Sequence, residues 1–335
     1  MSGTELMEKP AAPAKLGRAI PPAFQGKQFP LLAVIVFLAL FPPLIQSDAY
    51  DLGLLNNVLI YSLLTLGFYW CFALAGQFTF AVFGMYAVGA YVSVWAARHL
   101  GGFWSGLVAA VVVTAAIGAL TKLAFARCSE IYFAIATMAL GSLIVILFRE
   151  WTSFTGGYEG VSDIAVPSIF GYQLISGQSK YYLGLGILAV LLLLTVLFFR
   201  SPVARDLAFA RDKGPVAAVT GLKPVRLQLM GFAVGSGIQG AAGSLYAHGS
   251  GFFSVEAFNI DLSLLVLLML LLGGMVSMYG AIIGAVILVY LPEFLRDASK
   301  YAEVIYALAI LVIIVAFPRG IAGLRHTLGR LVRRA

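Results

Sequence analysis

The sequence predicts an all-α polytopic membrane protein with about ten transmembrane helices, some short or broken, and both termini cytoplasmic. Three observations predict it. Of the 335 residues, 61% are hydrophobic and only 11% are charged, where soluble domains sit at about half and a quarter. The apolar residues gather into runs that can each cross a bilayer, which takes about 20 mostly apolar residues per helix. The 22 Lys and Arg residues divide 17 to 5 between alternate connections, and such a bias places the basic connections in the cytoplasm.

A tail over 1–29, rich in proline and basic residues, reads as a disordered cytoplasmic segment. The transmembrane domain follows over 30–318. Its candidate spans are 30–46, 52–74, 78–97, 103–123, 131–148, 181–199, 227–248, 261–276, 278–293 and 301–317. Pro42 and Pro43 kink or end the first. The eighth and ninth are short and meet at Gly273, Gly274 and Gly280, so they form two tilted spans or one helix broken at the glycines. Alternation of sides puts a charged stretch, 200–226, in the cytoplasm and the segment 149–180 outside. A basic cytoplasmic tail, 319–335, ends the chain. The 36 glycines suit close helix packing in lipid, where small residues let backbones approach.

Composition also excludes classes of function. Every Asp and Glu falls in a tail, a connection or a span end, and no Lys or Arg falls mid-span. Ion- and proton-coupled transporters place such groups within the bilayer, where charge must be relayed or neutralised. The pattern G-x-x-x-x-G-K-[ST] is absent, so the chain carries no P-loop. Cys71 and Cys128 offer neither a disulfide framework nor metal-ligand spacing. His99, His248 and His326 are far apart and form no local metal site, and a lone His248 at a span end reads as an interfacial packing residue. No nucleophile–base arrangement is visible, so the chain is expected to be no enzyme. The net charge of +7 is spread over tails and connections and marks orientation, not nucleic-acid binding. Two readings stay open on these grounds: a transport subunit driven by a separate ATPase, or a passive channel or facilitator for a small polar solute.

A set of short motifs bears on that choice. Gly76-Gln77-Phe78-Thr79 leads into Val88-Gly89-Ala90-Tyr91. Arg127 precedes Ile131-Tyr132-Phe133-Ala134, with Thr137 after it. Thr155-Gly156-Gly157 runs through Tyr158 and Glu159 to Gly160-Val161. Ser201-Pro202-Val203-Ala204-Arg205 leads to Ala210-Arg211-Asp212, Ala217-Ala218 and Gly221. Gly240-Ala241-Ala242-Gly243-Ser244-Leu245-Tyr246-Ala247-His248 follows, then Leu272-Gly273-Gly274, Ser277, Gly280, Leu291-Pro292-Glu293 and Phe317-Pro318-Arg319-Gly320. In order and spacing, from about Leu52 to Leu324, the chain resembles the LivM-type permeases of branched-chain amino acid ABC importers. Two departures are visible: Ala81-Val82 stand where many relatives have Gly-His, and Gly214 stands where many carry an acid.

The resemblance implies a multi-pass permease subunit of the bacterial inner membrane that conducts branched-chain or related small amino acids. It implies a second, related LivH-like permease chain, two ABC ATPase subunits that hold ATP and Mg, and a periplasmic substrate-binding protein, with no cofactor on this chain. It further implies that the cytoplasmic stretch is a coupling element docked on an ATPase, with Arg205, Arg211, Asp212, Pro215, Ala217, Ala218 and Gly221 as its contacts. The residues fit. Pro215 suits a first helical turn, Val216-Ala217-Ala218-Val219 gives a small-residue face, Gly221 suits a C-terminal cap, and the charges can steer docking. Gln77 and Thr79, beside a helix-breaking Gly76, either line the pathway or lock helices together. Gly273, Gly274 and Ser277 are a candidate break facing the pathway, and otherwise a packing feature. Outside, Trp151, Tyr158 and Glu159 set aromatics beside turn glycines, an anchor-like mixture for contact with the binding protein; the other reading of that segment is a plain connector.

Overall fold

The structure, a computed structural model, describes residues 49–295 apart from 170, 171, 213 and 276. The expected spans 30–46 and 301–317, and both tails, lie outside the described residues. Among the described residues, eight long helices form the body. They are α1 (Ala49–Tyr69), which continues through a π-helical turn at Trp70–Leu74, α2 (Val82–Leu100), α3 (Phe103–Ala124) and α4 (Glu130–Glu150), followed by α6 (Gly177–Arg200), α9 (Pro224–Ser250), α10 (Ile260–Gly273) and α11 (Met278–Phe294). Between α4 and α6 lie a single turn, α5 (Thr152–Thr155), and a two-stranded antiparallel hairpin, β1 (Ser168–Ile169) with β2 (Tyr172–Gln173), in register Ser168 to Gln173 and Ile169 to Tyr172. Between α6 and α9 lie α7 (Pro202–Asp212) and α8 (Gly214–Val219).

Among the described residues, five helices are long and apolar enough to cross a membrane: the α1 unit, α3, α4, α6 and the α10 unit with the turn before it. Neither α2 nor α9 is one of them, although both cross the middle of the bundle. The reason is where they sit. Helix α9 packs on α3, α2 and α1 and α2 packs on α3, α9 and α4, so both meet protein on most sides. A helix surrounded by other helices gains from small and hydroxyl side chains that let neighbours approach, not from lipid-compatible bulk. In α9 these are Gly235, Gly240, Gly243 and Ser244, all buried. A Cβ on Gly235 would stand 2.5 Å from both Cys71 Sγ and the Gly67 carbonyl oxygen; one on Gly243 would stand 2.7 Å from the Ala90 nitrogen. Helices α10 and α11 cross the same way, with Gly280 against the carbonyl of Gly274, and Gly274 ends α10 at φ +104°.

At the end of the bundle away from α7, aromatic rings fill the space. Tyr91 meets Phe148 at 4.7 Å and Phe253 at 4.9 Å between centroids, and Tyr86 meets Phe258 edge-on at 5.2 Å. The motif Thr155-Gly156-Gly157 closes the end of α4 here. The Thr155 hydroxyl donates to the Phe148 and Trp151 carbonyls at 2.5 and 2.8 Å and accepts from the Gly157 N–H at 3.1 Å. Val161 then pairs with Phe253 through two backbone hydrogen bonds of 2.9 and 3.2 Å, which ties the connection to the α9–α10 turn. A polar chain runs inward from this point. His248 Nδ1 lies 2.8 Å from the Ala165 carbonyl, Nε2 lies 3.0 Å from Ser93 Oγ, and Ser93 Oγ lies 2.6 Å from Ser244 Oγ. A carbonyl only accepts, so Nδ1 carries the hydrogen. With Nε2 unprotonated, Ser93 donates to it and takes the Ser244 hydroxyl hydrogen.

Candidate functional site: the extended stretch between the first two helices

The third span was expected from residue 78. Its helix begins instead at Val82, after six residues, 76–81, that are not part of any α-helix. The break has a local cause. The last turn of the α1 unit is one residue wide of α-helical, and Gly76 takes φ +68°, a left-handed conformation that a glycine reaches without cost. The freed N–H groups turn back on that turn: Ala75 to the Trp70 carbonyl at 3.0 Å, Gly76 to Phe72 at 3.1 Å, and Gln77 to Cys71 at 2.9 Å.

Irregular backbone inside a membrane protein is tolerated only where protein or a cavity satisfies its polar groups. Two helices do so here, and two more bind beside it. From α4, Thr137 Oγ1 accepts the Phe80 N–H at 3.2 Å. From α10, Ser263 Oγ donates to the Phe80 carbonyl at 3.0 Å and accepts the Phe83 N–H at 3.1 Å. Thr137 lies two turns inside α4, so the stretch climbs into the bundle and does not lie at its end. From α3, Lys122 Nζ donates to Gln77 Oε1 at 2.5 Å, with its ammonium 5.0 Å from the Phe133 ring centroid. From α7, the Arg211 Nη1 donates to the carbonyl of Ala73. The arginine stem also fills the space beside Gly76, where a Cβ would stand 2.6 Å from Arg211 Cγ.

Gln77 and Thr79 are both buried. Gln77 spends its oxygen on Lys122 and its Nε2 on the Gly76 carbonyl at 3.0 Å; Thr79 Oγ1 accepts from the Ala81 N–H at 3.1 Å. Gly273 and Gly274 form the crossing of α10 and α11, and Ser277 caps α11 by accepting the Tyr279 N–H at 3.3 Å. The structure therefore brings Gln77 and Thr79 together and places Gly273, Gly274 and Ser277 at a separate turn.

The residues of the charged stretch divide between two faces. Helix α7 buries Ala204, Leu207 and Ala210 against the bundle and exposes Arg205. Arg211 pairs with Asp212 at 2.7 Å while its other end reaches Ala73. In α8, Ala217 is buried, whereas Val216, Ala218 and Val219 are exposed, Val219 to 89%. Pro215 lies in its first turn, and Gly221, at φ +86°, ends it with Leu222 N–H returning to the Ala217 carbonyl at 3.1 Å. At the opposite end of the bundle, Trp151, Tyr158 and Glu159 are exposed together on the connection after α4, with Arg149 5.1 Å from the Tyr158 ring centroid.

Lys122 is one of the 17 basic residues that the sequence places on the cytoplasmic side, where they serve only as orientation charges. It is 3% exposed and, among the described residues, has no carboxylate within ion-pair distance; a glutamine oxygen and an aromatic face take that place. Its signal in the sequence is a lysine at the end of a long apolar run with no acid within seven residues on either side. Ser263 carried no signal, because its partner is a backbone carbonyl 183 residues away. Among the described residues, no three His, Cys, Asp or Glu side chains gather as a metal site. The arrangement performs no bond chemistry. It is a set of hydrogen bonds that ties one irregular stretch and the turn before it to side chains of four helices.

The family described as branched-chain amino acid transport system / permease component matches residues 52–317. The chain belongs to that family. The high-affinity branched-chain amino acid transport system permease protein LivM of Salmonella typhimurium is 30% identical over 315 residues, covering 87% of this chain and 74% of its own length, and LivM of Escherichia coli stands at the same figures. LivH of Escherichia coli, the permease protein of the same system, is 26% identical over 78% of this chain and 91% of its own length. These relatives are transport permease subunits and not enzymes. No solved structure matches.

Proposed function

We propose that this chain is one transmembrane subunit of an ATP-driven importer for branched-chain or related small amino acids, set in the bacterial inner membrane with both termini cytoplasmic. It pairs there with a second, LivH-like permease chain. Two ATPase subunits hold ATP and Mg and dock on the cytoplasmic stretch, and a periplasmic binding protein delivers the substrate against the Trp151–Glu159 corner.

The observation that carries this reading is the two-faced construction of α7 and α8. An exposed apolar face on α8, Val216, Ala218 and Val219, sits beside a helix whose Arg211 is fixed inside the bundle on Ala73. A force applied to the outer face reaches the turn before the extended stretch through Arg211, and the bundle through the buried face of α7. Closure of the ATPases moves α7 and α8 as a body and shifts the pathway between two states. Gln77 and Thr79 belong to the element that moves, and the chain supplies no chemistry of its own.

The test is reconstitution. The tagged chain is purified in mild detergent with whatever accompanies it, placed in liposomes, and supplied with binding protein and labelled leucine. Uptake that requires ATP and the binding protein supports the reading. A chain that purifies alone, folded, and conducts solute without ATP overturns it.

A further inference from the structure

Resting on that reading, we propose that Gln239, midway along α9, lines the translocation route in its open state and is sealed at the seam of α1 and α2 in this structure. Gln239 is 1% exposed, and its Nε2 is buried with no hydrogen-bond partner in the protein. An amide closed off in this way costs free energy, and another arrangement of the helices that pairs or hydrates it recovers that cost. Polar side chains set inside a membrane bundle mark solute routes for the same reason.

The place of Gln239 follows from spacing along α9. Gly235, Gln239 and Gly243 stand four residues apart on one ridge of the helix. Gly235 meets α1 at Gly67 and Cys71, and Gly243 meets α2 at Tyr86 and Ala90. Gln239, between them, faces the seam of α1 and α2. Gly67 gives it room: a Cβ there would stand 2.8 Å from Gln239 Cγ. Helices α1 and α2 are consecutive, yet each packs far more on α9 than on the other.

What joins the two helices is the extended stretch, 76–81, together with the wide turn before it. Helix α10 packs on both, and its Ser263 is bonded to the Phe80 carbonyl and the Phe83 N–H. Arg211 holds the turn from α7. A shift of α7 passed through that turn moves α1 relative to α2 and admits water to Gln239. Ser236 supplies the comparison. Its Oγ is likewise buried and unpaired, but it faces Gly118 of α3, the helix on which α9 packs most extensively.

Two experiments on the permease–ATPase complex test this. Gln239→Met keeps the unbranched Cγ that Gly67 admits and removes the amide. It is expected to raise the melting temperature by a few degrees, because the closed state loses an unpaired group. It is expected to lower ATP-driven leucine uptake in proteoliposomes by about tenfold, because the open state loses a polar contact. A packing residue would give an unchanged or lower melting temperature; that result overturns the proposal, as does unchanged uptake.

The second experiment uses chains with Cys71 and Cys128 replaced by alanine. Gln239→Cys is expected to react with the charged, water-requiring thiol reagent MTSET about tenfold faster during ATP turnover with binding protein than at rest, whereas Ser236→Cys stays unreactive in both conditions. Equal rates in the two conditions, or equal labelling at the two positions, overturn the proposal. Wild-type uptake separates the two ideas. ATP-driven uptake together with any of these failures removes Gln239 from the route and leaves the transport function; a wild-type complex that takes up no leucine removes the function and the proposal with it.

Discussion

Arg211 stands on α7, outside the helical bundle, yet its guanidinium donates to the backbone carbonyl of Ala73 within it. The same side chain is held from the other direction by Asp212 at 2.7 Å. One residue thus joins the stretch proposed to meet the ATPase to the wide turn from which the irregular segment springs.

Arg211→Lys is expected to leave the chain folded and assembled but to lower uptake per ATP hydrolysed by roughly tenfold. A lysine cannot reach the Ala73 carbonyl and Asp212 together, and a charged hydrogen bond is worth about 1.5–3 kcal/mol. Parallel ATPase and uptake assays in proteoliposomes check this. Equal loss of both activities would mean that the residue only supports the fold.

Gly76→Ala places a methyl group 2.6 Å from Arg211 Cγ in a backbone conformation that costs an L-residue about 1–2 kcal/mol. Thermal unfolding in detergent should move down by several degrees. Combining it with Arg211→Ala should recover the steric part and not the backbone part, so the two effects are less than additive.

Gln77→Leu is expected to harm the protein more than Lys122→Met. The first strands an ammonium that is otherwise enclosed; the second strands a neutral amide. Leaving a buried charge without a partner costs about 3–5 kcal/mol, against about 1–3 for a neutral group. The double substitution should be more stable than Gln77→Leu alone, read from detergent melting curves of the four proteins.

Gly243→Leu and Gly240→Leu should abolish the folded chain, because α9 touches the backbone of α2 at the first and the Thr114 side chain of α3 at the second. Gly249→Ala is the control: a Cβ there meets nothing within 4 Å and should be silent. Size-exclusion profiles of membrane extracts give the answer.

Ala218→Trp should leave the chain inserted and monodisperse while preventing the ATPases from co-purifying. Its side chain lies on the exposed face of α8, whereas the neighbouring Ala217 is buried against the chain itself. Retention of ATPases and of ATP-driven uptake would count against a docking role for that face.

Much of the fold was readable before any coordinates. The ends of α3, α4, α6 and α11 fall within a few residues of the apolar runs at 103–123, 131–148, 181–199 and 278–293, because lipid-facing helices show their length as hydropathy. Gly76 marked the break, since an isolated glycine between apolar runs is local information. The depth of the break was not legible. It depends on Thr137, Ser263, Lys122 and Arg211 converging from four helices, and such pairings leave no trace in spacing along one chain. The same applies to Ala217 and Ala218. As neighbours in a small-residue run they look alike, and only the packing of α8 turns one inward and the other out.

The central position of α2 and α9 has a consequence for how the protein is made. Each falls short of the apolar character that lets a single segment partition from the translocon into lipid. Segments leave the ribosome in chain order, so α2 has no large partner until α3 arrives, and α9 can settle only into a cradle already built by α1, α2 and α3. Insertion of this chain is therefore cooperative and directional. A lesion in an early span should show itself first as failed integration and degradation of the later one.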